Sequence, residues 1–335
     1  MKELKLSVQV ERWPLVRPFR ITGYTWEAID TLLVILEREG AEGRGEASGV
    51  YYHGEYTESM IAQIESARSR IEAGISTASL QTVLPPGGAR NAVDCALWDL
   101  EAKLAGRAVW QLLGMAKPQP LQATFTCSAD EPENMAAAAL SYRGAQAIKV
   151  KLTGEAADAA RICAVREACN DVTLRIDANQ GFTRESLQAL MPVLMEARVD
   201  LIEQPFPVGR ETLLDGLASS IPLAADESVQ CLPDIARLGQ RFQVVNIKLD
   251  KCGGLTEALA MVRYARERGL GVMVGNMLGT SLAMAPGYLL GQLCDVVELD
   301  APIALKADRE PPVQYRDGLI ICPDSLWGSA TGSAR

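Results

Sequence analysis

From about residue 120 to residue 300, short apolar or β-branched runs alternate with longer helical patterns, and this repeat restricts the fold more than any other feature of the chain. Eight such runs are present: Leu121–Cys127, Ala147–Leu152, Thr173–Asp177, Leu201–Pro205, Pro222–Asp226, Val244–Leu249, Gly271–Asn276 and Val296–Asp300. Their ends recur about every 25 residues, room for one strand, one helix and two short loops. Between them Ile162, Val165, Ala168 and Cys169 recur at helical spacing, as do Leu187, Leu190, Val193 and Leu194. Eight βα units predict an α/β fold closed into a (β/α)8 TIM-like barrel. An open doubly wound sheet is the alternative that the repeat alone leaves standing.

The first 115 residues read differently. Leu4, Leu6, Val8 and Val10 alternate as in a half-buried strand, and Thr31–Leu36 offers a second strand, so a hairpin or meander is expected. Ala89 to Leu113 reads as one long amphipathic helix ending at Gly114. An α+β cap therefore precedes the barrel. Between its strands, Phe19–Trp26 is a glycine-containing stretch of mixed polarity, expected as a mobile loop over the barrel mouth, with a plain surface hairpin loop as the alternative.

Parallel barrel strands are buried on both faces, so charges at their ends require an explanation. Here they are orderly: Lys149 and Lys151 on the second strand, Asp177 on the third, Glu203 on the fourth, Asp226 on the fifth, Lys248 on the sixth, and Glu298 with Asp300 on the eighth. In a barrel the C-terminal strand ends meet at one mouth. Three carboxylates around one point repel unless a cation intervenes, and an all-oxygen set suits Mg²⁺. The lysines flank this row and suggest opposed bases. Lowering a lysine from a pKa of about 10.4 to about 7 costs roughly 4.6 kcal/mol. Lys149, on the same face as Lys151, is expected to supply part of that shift, and Lys251 to help Lys248 if it turns inward. A cation facing a substrate carboxylate, with a neutral lysine beside it, abstracts the adjacent proton through an enediolate; a second lysine opposite returns it on the other face.

The motifs Trp13-Pro-Leu with Pro18-Phe19, Ala89-Arg-Asn-Ala-Val-Asp-Cys-Ala-Leu-Trp-Asp99, Lys149-Val-Lys151, Asp177-Ala-Asn179, Glu203-Gln-Pro205, Ala225-Asp-Glu-Ser228 and Asn246-Ile-Lys-Leu-Asp-Lys-Cys-Gly-Gly254 span nearly the whole chain. On them the sequence resembles the muconate-lactonizing branch of the enolase superfamily, and within it the dipeptide epimerases, similar to L-Ala-D/L-Glu epimerase. The resemblance implies Asp177, Glu203 and Asp226 as Mg²⁺ ligands, Lys151 and Lys248 as the acid–base pair, and Thr126 and Lys149 in contact with substrate. It implies a capping domain over 1–117, a catalytic barrel over 118–305, and a tail, 306–335, that returns to the cap.

Such epimerases resemble one another in an Asp-x-Asp that holds the substrate ammonium; here the pair is Glu298 and Asp300. Asn276 stands where relatives carry cysteine. Where the Ala-Glu epimerases carry an arginine in the mobile loop, this chain has Tyr24 and Trp26, with Arg20 the nearest arginine. An apolar second residue in the substrate is therefore expected. The same metal and lysines would also serve o-succinylbenzoate synthase with N-succinylamino acid racemase activity, or muconate cycloisomerase; a dicarboxylic substrate would be repelled by Glu298 and Asp300. A non-catalytic metal-binding barrel is the reading from another class.

Composition excludes several other functions. A net charge of −9 argues against nucleic-acid binding. His53 is the one histidine, which removes histidine triads and dyads, and it is expected in a surface loop. The eight cysteines lack any CxxC pair and read as free thiols of a cytoplasmic protein. Neither a membrane span nor an export signal is evident. Homo-oligomerisation and a role in peptidoglycan recycling are expectations from the resemblance alone.

Overall fold

A computed structural model describes residues 3–217 and 219–330. Strands β1 (Lys5–Ile21), β2 (Tyr24–Arg38) and β3 (Ala41–Ala47) form an antiparallel meander. The central residues of β2, Leu32, Val34 and Leu36, are fully buried against Met60, Ile64 and Ile71 of the helix Thr57–Glu72 and against Ala92, Ala96 and Leu100 of the helix Gly88–Ala105. That second helix lies so close to β3 that only glycine fits beneath it. A Cβ on Gly45 would sit 2.0 Å from the Ala92 carbonyl oxygen and 2.7 Å from the Ala96 nitrogen. Gly45→Ala is therefore expected to cost about 3 kcal/mol, because backbone must move to admit the methyl group. Chemical denaturation would show it as a lowered midpoint, and an unchanged midpoint would contradict the close approach.

The barrel follows. Strand β4 (Leu121–Gln122) precedes it, and the parallel sheet runs in the order β5 (Thr124–Cys127), β6 (Ala147–Lys151), β7 (Thr173–Asp177), β8 (Val199–Glu203), β9 (Leu223–Ala225), β10 (Val244–Lys248), β11 (Gly271–Gly275) and β12 (Val296–Val297). Across the remaining gap the Thr126 N–H of β5 donates to Asp300 Oδ2 at 2.6 Å, just beyond β12, so the two edges of the sheet meet as in a barrel. The eight-unit repeat is thus an eight-stranded parallel barrel rather than an open doubly wound sheet.

Three local expectations are corrected. The run Leu121–Cys127 is two strands, because β4 pairs with β14 (Leu319–Ile321), itself paired to β13 (Gln314–Arg316), while β5 joins the barrel. The helix expected from Ala89 to Leu113 breaks at Gly106, whose φ of 61° caps it, and resumes at Val109–Leu112. Phe19–Trp26 is the paired tip of the β1–β2 hairpin, turning at Gly23, and not a loop. Thr22 Oγ1 at that turn donates to the carbonyls of Leu152 and Ala178, which lie just past β6 and β7. The hairpin tip therefore sits on the barrel mouth.

Side chains of the cap helix explain the long motif around Asp94. Asp94 accepts from the Thr256 N–H and hydroxyl, and Arg90 donates to the carbonyls of Cys252 and Gly253 and to Glu257. These bonds fix the cap to the segment just after β10, the strand that ends in Lys248. The tail also touches the cap: Trp327 Nε1 donates to the carbonyls of Arg44 and Cys95, and Arg309 pairs with Glu11 and Glu46. Residues 331–335 lie outside the described part. No described helix is long and apolar enough to cross a membrane.

Candidate active site

Strand register places the charged residues side by side. Lys151 is paired with Asp177 across β6 and β7, and Asp177 with Glu203 across β7 and β8. Asp226 follows directly after β9, and Lys248 ends β10. Three strands separate β6 from β10 in an eight-stranded sheet, so the two lysines stand half a barrel apart with the three carboxylates between them. Asp177, Glu203 and Asp226 each offer an oxygen, all within 4.8 Å of one another, and all three residues are buried.

Lysine ammonium groups answer these carboxylates. Lys151 Nζ lies 2.5 Å from Asp177 Oδ2, and Lys248 Nζ lies 2.6 Å from Asp226 Oδ2. Lys251 does turn inward, but onto the back of Asp226, donating to its Oδ1 and carbonyl and to the Asn246 carbonyl. Lys149 meets Lys151 on one oxygen, Asp177 Oδ2, so the two ammonium groups are neighbours as their spacing on β6 implies, and it reaches further to Glu203 and Glu298: its three contacts are 3.2, 3.0 and 2.5 Å.

Titration follows this crowding. Burial, with Asp177 beside it, pushes Glu203 up to about 8. Burial would raise Asp177 as well, but Lys151 and Lys149 outweigh it and hold the group at about 2. For Asp226, Lys248 and Lys251 likewise overcome burial and keep the carboxyl well below its usual range. Burial would depress Lys248, yet Asp226 and Glu203 raise it well above the ordinary lysine value. For Glu203, burial is the larger cause of the rise, and the neighbouring carboxylates add to it. The donor set is all oxygen, buried and close-spaced, and it fits a hard divalent cation of the Mg²⁺ type. Asp177, Glu203 and Asp226 would hold it.

Above the triad lies a cavity of about 560 Å³. Lys149, Lys151, Lys248, Thr126, Asn276, Glu298, Asp300 and Trp26 all line it. Gly275, beside Lys248 in the register, leaves room for the side chains of Asn246 and that lysine: a Cβ there would sit 2.6 Å from Asn246 Oδ1 and 3.1 Å from Lys248 Cε. Glu298 and Asp300 stand past the short β12 and close the far wall. The longer glutamate reaches Lys149 through Oε2, and Thr126 Oγ1 donates to its Oε1 at 3.3 Å. Asp300 is pushed up to about 6 by burial and by Glu298 next to it.

Two of the expected substrate residues stand elsewhere. Arg20 does not line the cavity; it pairs across 3.8 Å with Glu155 on the outer side of the hairpin, both side chains half exposed. Strand alternation is the reason, since Phe19 and Ile21 face the cavity and Arg20 between them faces away. Tyr24 also lies outside the lining, stacked 5.6 Å behind Trp26. Trp26 itself meets Tyr51 edge-on at 4.9 Å and Phe19 at 6.4 Å, which gives the cavity an aromatic roof.

Tyr51, Ser48 and Arg17 were not singled out from the sequence. Ser48 and Gly49 donate their N–H groups to Asp250, two residues past Lys248, and Tyr52 is bonded to Gln230 beyond β9. This second cap segment is thereby tied to the barrel and carries Tyr51 to the roof. Only its chain position near the end of β3 hinted at that. His53 is exposed, as expected, with its ring against Tyr52. All eight cysteines are free.

Comparison with known proteins agrees with this geometry. Residues 3–114 match the family Mandelate racemase / muconate lactonizing enzyme, N-terminal domain, and residues 133–327 match Enolase C-terminal domain-like. The L-Ala-D/L-Glu epimerase of Escherichia coli (strain K12) is 38% identical over 315 residues, covering 93% of this chain and 98% of the relative. An N-acetyl-D-glutamate racemase from Pseudoalteromonas sp. is 40% identical over 257 residues, 76% of this chain and 81% of that protein. Among solved structures, an enolase family member from Agrobacterium tumefaciens with homology to dipeptide epimerases, holding sodium and L-Ala-L-Glu, superposes with a TM-score of 0.93. It is 40% identical, over 97% of this chain and 100% of the other. The dipeptide epimerase from Cytophaga hutchinsonii complexed with Mg and D-Ala-L-Val gives a TM-score of 0.87 at 28% identity, over 96% of this chain and 94% of that one.

Proposed function

Because the chain belongs to the mandelate racemase / muconate lactonizing enzyme family of the enolase superfamily, we propose that it is an isomerase, a Mg²⁺-dependent dipeptide epimerase. The observation that carries this reading is the placement of Lys151 and Lys248 half a barrel apart, with three buried carboxylates between them. When bound, the cation stabilises negative charge that develops on the substrate carboxylate as the α-proton leaves. The chain's own groups do the rest. One lysine takes the proton from one face of the α-carbon and the other delivers a proton to the opposite face, which inverts the centre. Asp300 and Glu298 attract the substrate's free ammonium to the far wall, with Glu298 held in place by Lys149 and Thr126. The aromatic roof shields the reacting carbon from bulk water.

The epimerised residue is proposed to carry an apolar side chain under Trp26, Phe19 and Tyr51, since Arg20 faces outward. The eight free thiols support a cytoplasmic setting. Family membership alone carries the proposal of a homo-oligomer. The test is incubation with Mg²⁺ in D₂O and separate L,L-dipeptides, following mass gain at the α-carbon. Deuterium should enter L-Ala-L-Phe and L-Ala-L-Leu at least about tenfold faster than L-Ala-L-Glu, in line with a difference of about 1.4 kcal/mol in an apolar slot. Equal or faster exchange of L-Ala-L-Glu would overturn the apolar preference. Exchange into N-acetyl or N-succinyl amino acids with none into dipeptides would move the reading to an N-acyl amino acid racemase.

A further inference from the structure

Besides Asn246 Oδ1, whose residue is bonded to Glu203 through its Nδ2, two buried acceptors beside the triad have no donor among the described protein groups: Glu227 Oε2 and Asn179 Oδ1. Their residues are 3% and 8% exposed. They face each other, with Asn179 Nδ2 donating to Glu227 Oε1 at 3.3 Å. Each is also tied to a different member of the triad. Glu227 follows Asp226 in the chain, and the Asn179 N–H donates to Asp177 Oδ1 at 2.8 Å. Asn179 lines the cavity.

A buried acceptor without a donor costs on the order of 1–3 kcal/mol, so an arrangement of two of them requires a reason. Direct coordination does not supply it, since the set of carboxylates close enough to share one ion comprises Asp177, Glu203 and Asp226 and does not include Glu227. Mg²⁺ gives up its water reluctantly and keeps several water ligands when protein carboxylates bind it. Those waters are strong donors, and their hydrogens need acceptors one layer outside the ion. Resting on the assignment of the triad as the cation site, we propose that Glu227 and Asn179 form the outer coordination shell, each accepting a hydrogen bond from a water that the cation retains. They are positioning residues, orienting water and touching neither the ion nor the reacting carbon. The asparagine is suited to its place in the backbone as well, because its φ of 41° is a left-handed value that asparagine adopts more readily than most residues.

The experiment is calorimetric titration of the metal-free protein with Mg²⁺ alone, for the wild type, Glu227→Gln, Asn179→Gly and the double variant, with the melting temperature of each metal-free protein. Glycine at 179 keeps the positive φ accessible and removes the amide. The Mg²⁺ Kd should rise about 10–100-fold in Glu227→Gln and severalfold in Asn179→Gly, the range expected for outer-shell partners. The double variant should fall short of the product of the two effects, because both groups order one water network. Metal-free melting temperatures should not fall. Asn179→Gly separates hydrogen bonding from charge, as it removes none: a Kd altered by Glu227→Gln alone would reduce the effect to long-range charge and overturn the proposal. A lowered melting temperature with an unchanged Kd would overturn it too, assigning both residues to the fold. Absence of Mg²⁺ binding by the wild type would instead overturn the cation site itself.

Discussion

Lys151→Ala and Lys248→Ala are each expected to reduce epimerisation by roughly 10²–10⁴-fold, the usual contribution of a positioned acid or base, while each still exchanges the α-proton of one stereoisomer. The asymmetry follows from the barrel. β6 and β10 lie on opposite sides of the mouth, so a bound α-carbon presents one face to Lys151 and the other to Lys248. A substrate of one configuration directs its proton to one lysine only. With the opposite lysine removed, the remaining one can still take that proton, trade it with solvent and return it to the same face. Deuterium then enters without inversion. The epimer, whose proton points to the missing amine, should exchange no faster than in buffer. Proton NMR in D₂O on the two separated epimers reads both rates. The isomers that exchange should be opposite in the two variants. If both variants exchanged the same isomer, or if one variant epimerised at the wild-type rate, the lysines would not be an opposed pair.

The lysine and carboxylate positions were legible because a charge at the end of an otherwise apolar strand is rare, and here it recurs from strand to strand. The eight-unit pitch and the triad therefore came from the same pattern, and the barrel register brings Lys151, Asp177 and Glu203 into one row. What long side chains do after leaving the strand was not legible. Lys149 meets Lys151 at Asp177 Oδ2, as two positions on one strand face imply, yet its amine also reaches Glu203 and Glu298, because those carboxylates attract it across the mouth. Lys251 turns back on Asp226 for the same reason. Arg20 is a different failure. Its direction was implicit in alternation with Phe19 and Ile21, but only once Phe19–Trp26 is read as paired strands rather than as a loop. The break at Gly106 shows that a helical period can persist across a residue that ends the helix. Glu227 and Asn179 stood in quoted motifs, and nothing local distinguishes an outer-shell acceptor from an ordinary polar neighbour of a ligand.

Glu203→Gln is expected to move stability in opposite directions with and without the metal. The side chain is 1% exposed and lies between Asp177 and Asp226 in the strand order, and burial with this negative company pushes it up to about 8. A carboxyl whose folded value is raised favours the folded state when protonated. Its penalty is absent below the ordinary value of 4.5, grows as pH rises, and is complete above about 8. Glutamine has the same shape without the charge, and its carbonyl oxygen can still accept from Asn246 Nδ2, 2.7 Å from Glu203 Oε1 in the wild type. At pH 8 the metal-free variant should therefore melt above the metal-free wild type, and the gap should close toward pH 4.5. Added Mg²⁺ should reverse the order. Ligand bound only to the folded state stabilises by about 2.7 kcal/mol at a hundred times its Kd, and the variant, with one ligand charge removed, should bind at least about 100-fold more weakly. Chelation should abolish α-proton exchange by the wild type, and Mg²⁺ should restore it. Thermal denaturation at pH 8 with and without Mg²⁺ checks both signs in one series. An equal Mg²⁺-induced shift in wild type and variant would remove Glu203 from the cation site, and a variant less stable than wild type without metal would mean that the ion pair with Lys149 outweighs the crowding of the three carboxylates.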